Sequence, residues 1–216
     1  MENFDNIIKN LYTNEDFHEG FAVITVNDKC NFIDQNGKLL CEQWFDWVYD
    51  FHEGFAIVNL NGKYNFINQK GEIVSKEQWF NAAKNFSKGF GFVECYFKGW
   101  NCINENGEII FQKWYDDIYG FSDGFAIVEL NDKMNFIKPN GEVLSKKWFD
   151  RVNSFSKGIA KVKLNEKYNF IKTNGELLSK RWFKEAYDFK EYYWYTRVKL
   201  ISKWYKLDKE GILHEE

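Results

Sequence analysis

The chain has 216 residues; 20% are aromatic, 28% are charged, one is proline, and the formal net charge is −3. This excludes a Pro-rich ligand and a low-complexity disordered segment, and the lack of a basic excess argues against a dedicated nucleic-acid surface. The length is ample for a buried core.

Residues 1–16 are expected to cap the N-terminal end. Met1-Glu2-Asn3-Phe4-Asp5 has neither a basic start nor an apolar run, so no secretory leader is expected. No stretch approaches the ~20 apolar residues of a spanning helix. Met1 to Thr13 is the only candidate helix, and within it Asn3-Phe4-Asp5-Asn6-Ile7 resembles Trp44-Phe45-Asp46-Trp47-Val48 further on.

From residue 17 the chain repeats itself, in units of approximately 17–50, 51–85, 86–120, 121–154 and 155–188, with a degenerate capping unit at 189–216. Trp44, Trp79, Trp114, Trp148 and Trp182 recur at steps of 35, 35, 34 and 34 residues, and Phe51, Phe86, Phe121, Phe155 and Phe189 each follow seven residues later. A fixed period in this range marks a repeat architecture. The second unit is typical. His52-Glu53-Gly54 is a turn whose Gly suits positive φ. Phe55 to Leu60 alternates as a half-buried strand, with Ala56, Val58 and Leu60 matched by Ala126, Val128 and Leu130. Asn61-Gly62 signals a two-residue hairpin. The return strand is Lys63 to Ile67, and a second turn ends in Gly71. A third strand, such as Glu142 to Ser145 in a later copy, leads into the Trp-Phe pair. A lone three-stranded unit is marginal in water, so the units must stack on one another.

The pattern Gly-Phe-Ala-Ile-Val, Lys-Tyr-Asn-Phe-Ile, Gly-Glu, Trp-Phe-Asp, Phe resembles the bacterial WG (KWG) repeat, over residues 17 to about 189 and in degenerate form to about 213. The resemblance implies a non-enzymatic β-rich array. The Trp-Gly pair of that repeat is here Cys30-Asn31, Tyr64-Asn65, Trp100-Asn101, Met134-Asn135 and Tyr168-Asn169. Asn is common at positive φ, so Asn31, Asn65, Asn101, Asn135 and Asn169 are expected to keep a left-handed or bulged residue, or else to form a side-chain ladder between units. In the last unit this Asn has become Tyr205 and the first turn Gly has become Trp194. The fold expected is all-β: a single domain of ~34-residue repeats of three short antiparallel strands, stacked as an open, twisted solenoid. A closed, propeller-like ring of six units is the alternative.

Chemistry is sparse. His18 and His52 are variable turn residues, and the four cysteines make no C-x-x-C pair, so neither catalysis, nor a metal, nor a cofactor is expected. Cys30 and Cys102 fall on apolar positions and should be small buried hydrophobes in a reducing cytoplasm. Asp46, Asp116 and Asp150 after the Trp-aromatic pair should make local turn bonds. The five periodic Trp are expected to pack between units. Aromatics that stacking does not require are the better binding candidates: Trp47, Phe97, Trp100, Tyr193 and Trp194. Phe97 and Trp100 flank the one enlarged hairpin, and irregular loops on rigid scaffolds commonly bind partners. The function expected is a non-catalytic module that binds another protein; the alternative is a lectin-like protein with aromatic pockets between repeats. Neither nucleic acid nor membrane is an expected partner.

Overall fold

The computed structural model describes residues 16–189 and 193–215. The expectations for residues 1–15 lie outside these. The chain divides into two compact units, Met1–Trp114 and Tyr115–Glu216.

Among the described residues the first unit holds three small antiparallel sheets. They are β1 (Phe21–Val26) with β2 (Lys29–Asp34); β3 (Trp47–Val48), β4 (Phe55–Leu60) and β5 (Lys63–Asn68); and β6 (Ala82–Ser87), β7 (Phe90–Cys95) and β8 (Gly99–Ile103). The described residues of the second unit also form three. They are β9 (Asp117–Ser122), β10 (Phe125–Leu130) and β11 (Lys133–Ile137); β12 (Arg151–Val152), β13 (Ile159–Leu164) and β14 (Lys167–Lys172); and β15 (Glu185–Ala186), β16 (Tyr195–Leu200), β17 (Lys203–Asp208) and β18 (Leu213–Glu215). The fold is all-β and none of the sheets closes into a barrel. Among the described residues no helix is long and apolar enough to cross a membrane.

The turns follow the sequence signals. Asn27-Asp28, Asn61-Gly62, Asn131-Asp132 and Asn165-Glu166 have positive φ at both residues, as a type I′ turn requires. Gly107 closes the second turn of its repeat at φ +78, and a Cβ there would lie 2.3 Å from the Val74 carbonyl of the sheet before it. Only glycine fits so close an approach.

The third strand is not the predicted one. In the copy around Glu142, only a single bridge, Ile137 with Val143, continues the ladder, closed by the bonds from Lys138 N–H to Glu142 C=O and from Leu144 N–H to Phe136 C=O. The chain then bulges, and the third strand of each three-stranded sheet is the segment after the Trp-aromatic pair, which joins the following hairpin. This segment links two sheets. Phe45 exchanges both backbone bonds with Cys30 behind it, at 2.8 and 3.0 Å, while Asp46 N–H donates to Asn59 ahead at 2.9 Å. Phe80, Phe149 and Phe183 do the same with Tyr64, Met134 and Tyr168.

The asparagines hold the bulge, which corrects both expectations for them. Asn31, Asn65, Asn101, Asn135 and Asn169 lie in regular strand register and are absent from the positive-φ residues. Nor do they form a ladder between repeats. Each is 0% exposed, and its Nδ2 donates to two carbonyls of the bulge in its own repeat: Cys41 and Gln43, Ser75 and Gln78, Phe111 and Lys113, Ser145 and Lys147, Ser179 and Arg181, at 2.8–3.2 Å. Each Oδ1 accepts the N–H of the following residue. The side chain replaces strand pairing where the chain leaves its sheet, and every polar atom is satisfied as burial demands.

The cores lie between consecutive sheets of a unit. Phe32, Phe45, Phe51, Val58 and Ile67 form one, and Phe136, Phe149, Phe155, Val162 and Ile171 another. The Phe seven residues after Trp inserts into the preceding hairpin: Phe51 meets Phe21 and Phe32 at 4.8 and 4.9 Å, and Phe155 meets Phe125 and Phe136 at 4.7 and 4.6 Å. Trp44, Trp79, Trp114, Trp148 and Trp182 are only half-buried. Trp79, Trp114 and Trp182 rest on the edge of an inter-sheet core, and the residue after each Trp is the one fully enclosed. Cys30 and Cys102 are buried free thiols, as expected.

Candidate binding site

The acids after the Trp-aromatic pair serve the scaffold. Asp46 Oδ2 accepts the Asn61 turn N–H at 2.5 Å, Asp116 accepts that of Asn131 at 2.6 Å and Asp150 that of Asn165 at 2.7 Å. Asp46 and Asp150 also receive the ammonium groups of Lys29 and Lys133. These lysine bonds, with the turn N–H bonds, hold both carboxyls below the usual carboxylate range.

The sequence-predicted candidates separate. Trp47 is 58% exposed on the outer face of β3. Phe97 stands at the tip of the enlarged hairpin, 99% exposed, edge-on to Tyr96 at 4.7 Å. Trp100 is half-buried, with Lys84 Nζ 4.1 Å from its ring centroid. Tyr193 and Trp194 are exposed before β16.

Tyr193 lines a shaped cavity. A basin of about 310 Å³ in the last sheet is lined by Tyr187, Asp188, Tyr193, Tyr195, Thr196 and Arg197. Its geometry follows from the pairing of β15 with β16. Tyr187 N–H donates to Arg197 C=O at 3.0 Å, and Thr196 Oγ1 donates to Tyr187 C=O at 2.7 Å. The strand end is thereby pinned, and Tyr187 lies stacked on Trp204 with centroids 5.5 Å apart. Arg197 lies 4.8 Å and Lys199 5.3 Å from the Trp204 centroid, and Lys206 5.0 Å from that of Tyr195. Each such contact contributes roughly 0.5–1 kcal/mol at an exposed site and fixes the orientation of both groups. Trp194 flanks the basin edge-on to Tyr195 at 4.9 Å and to His214 at 5.3 Å. His214 in turn meets Asp208 at 2.8 Å. Burial pushes the Asp208 carboxyl up, but the bonds from His214 and from the N–H groups of Ile212 and Glu210 outweigh it and hold the group low.

Asp188 joins this basin to the neighbouring sheet, accepting from Asn153 and Lys161 at 3.0 Å each. Sequence reasoning missed Tyr187, Asp188, Tyr195, Arg197 and Trp204. The one signal available was Arg197, which stands where Ile57 and Ile127 stand in other sheets; Tyr187 and Asp188 match Tyr49 and Asp50 and give none.

Three segments, residues 32–64, 100–133 and 136–168, match the family described as "WG containing repeat". No curated protein matches the chain. Among solved structures, the computationally designed Ika8 protein is 14% identical, with 91% of this chain and 71% of that one covered, at a TM-score of 0.44. BamB from Moraxella catarrhalis is 11% identical, with 94% and 74% covered, at 0.40. Hsv2 from Kluyveromyces lactis is 10% identical, with 88% and 71% covered, at 0.43. The three family matches fall on the repeat that the sheets display, and the chain is a WG-repeat protein.

Proposed function

We propose that the chain is a non-catalytic module that binds another protein through the aromatic basin of its last sheet. One observation carries this reading: Tyr193, Tyr195 and Arg197 converge on a basin that the repeat template does not require. Tyrosine and arginine, partly desolvated around a concavity, are the residues that most often dominate protein recognition. The free thiols Cys30, Cys41, Cys95 and Cys102 suit a reducing compartment. Panning the full chain against a random peptide library tests the reading. One sequence class should emerge, bind at one site per chain, and weaken by about 2 kcal/mol in Tyr193→Ala with Tyr195→Ala. Saturation by a saccharide at a number of sites close to the number of repeats would favour the lectin-like alternative instead.

A further inference from the structure

Beside the basin, on the sheet of β12, β13 and β14, lies a second concavity of about 330 Å³, lined by Arg151, Asn153, Lys161, Val162, Lys163 and Tyr168. Arg151 pairs directly across from Lys163, and Lys163 across from Tyr168. Lys161 shares the outward face of Lys163, two residues along the same strand. Like charges directly opposite on a sheet destabilise it, so this placement works against folding.

The repeat does not ask for it. The same cross-strand row reads Trp47, Asn59, Tyr64 in one sheet and Ala82, Glu94, Trp100 in the next. It reads Asp117, Glu129, Met134 in the sheet of β9 to β11. In the last sheet the row reads Glu185, Lys199, Trp204, so among the described residues this row carries a facing pair of cations in this copy alone. Residues 151–189 carry nine Lys and Arg against four Asp and Glu, although the whole chain has net charge −3. Counter-ions hold two of the three cations: Lys161 meets Asp188 at 3.0 Å and Lys163 meets Glu166 at 2.9 Å. The Arg151 side chain is exposed and has no hydrogen-bond or ion-pair partner among the described residues. A guanidinium offers a planar fork of donors to an oxyanion. Tyr168, with Lys161 and Lys163 5.9 and 5.8 Å from its ring centroid, supplies a flat apolar floor beside it.

We propose that Arg151, Lys163 and Tyr168 seat an oxyanion-bearing side chain, carboxylate or phosphoryl, from an acidic segment of the protein partner. This rests on the protein-binding reading and extends it, because Asp188 links Lys161 of this concavity to the aromatic basin. A peptide is favoured over a nucleic-acid backbone because Asp188 and Glu166 next to the cations would repel a continuous row of phosphates while leaving one anionic position at Arg151.

Calorimetric titration of the full chain tests it. The probes are a short glutamate-rich peptide, its phosphoserine counterpart and its glutamine counterpart. One or both anionic peptides should bind, more weakly as salt rises, and the glutamine peptide should not. The stronger of the anionic two identifies the source of the oxyanion. Arg151→Gln with Lys163→Gln should weaken binding about tenfold, while Lys138→Gln, just past the end of β11, should leave it unchanged. The same pair should leave the melting temperature unchanged or raise it, since it removes a like-charge pair; a lowered one would mark a structural role and overturn the proposal. Equal loss in Lys138→Gln, indifference to all three peptides, or binding of a single-stranded oligonucleotide in their place would also overturn it. A chain that captures library peptides through Tyr193 and Tyr195 yet ignores the anionic probes keeps the protein-binding reading and loses this one.

Discussion

The sheet of β12 to β14 and the last sheet begin alike and end differently. In the first, Asn169 is buried and holds the bulge at Ser179 and Arg181, so the chain leaves its sheet and crosses to the following hairpin. In the last, Tyr205 stands at the Asn position. Instead β18 continues the ladder, with Leu207, Lys206 and Tyr205 paired to Leu213, His214 and Glu215. The difference teaches what the Asn does. With it, strand pairing gives way after one bridge, and the segment is released to build a junction; with Tyr in its place, the segment stays as a fourth strand.

The largest effect should come from the ring that anchors the crossing. Phe183 is completely buried and exchanges two backbone bonds with Tyr168. Phe183→Ala should lower the unfolding free energy by about 3–5 kcal/mol in urea titration. Removing the side chain that shapes the bulge comes next. Asn169→Ala leaves the Ser179 and Arg181 carbonyls without their donor, at a cost of about 3 kcal/mol. Tyr205→Ala at the matching position of the last sheet should cost only about 1 kcal/mol. Similar losses at the two positions would break the comparison.

Close approach between sheets should show a smaller contrast. A Cβ on Gly175 would lie 2.5 Å from the Leu144 carbonyl, whereas one on Gly20 meets nothing within 4 Å. Both have positive φ, so both alanine variants are strained. Gly175→Ala should lose about 2 kcal/mol and Gly20→Ala about 1 kcal/mol. The smallest effect is electrostatic. Asp46, Asp150 and Asp208 all titrate below their unfolded range. Their contribution is therefore complete above the ordinary carboxylate pKa and is lost as pH falls through the depressed one. Thermal melts should be flat near neutrality and fall on the acid side. Asp208→Asn should blunt that fall, and exchange at β18 should then quicken first.

Much of the scaffold was legible. The Asn-Gly and Asn-Asp pairs, the alternating strands and the period all carry local physics that survives in a single sequence. The asparagines misled because the same residue serves either a left-handed backbone or a buried amide that bonds to residues ten and twelve further on. Local preference does not distinguish these; only the path of the bulge does. The third strand was misplaced for the same reason, since Glu142 to Ser145 has strand chemistry but the Asn135 side chain takes over its pairing. For the candidate site, Tyr193 and Trp194 were visible as aromatics outside the template. Tyr187, Arg197 and Trp204 were not, because they occupy template strand positions and become a basin only when β15 pairs with β16.

The central claim is that five buried side-chain amides hold the bulges that carry the chain from sheet to sheet. Hydrogen exchange of the Asn Nδ2 groups, resolved by ¹⁵N NMR on the full chain, tests it most directly. The amides of Asn31, Asn65, Asn101, Asn135 and Asn169 should exchange as slowly as the strand backbone around them. Exchange at the rate of the exposed Asn174 would contradict the account.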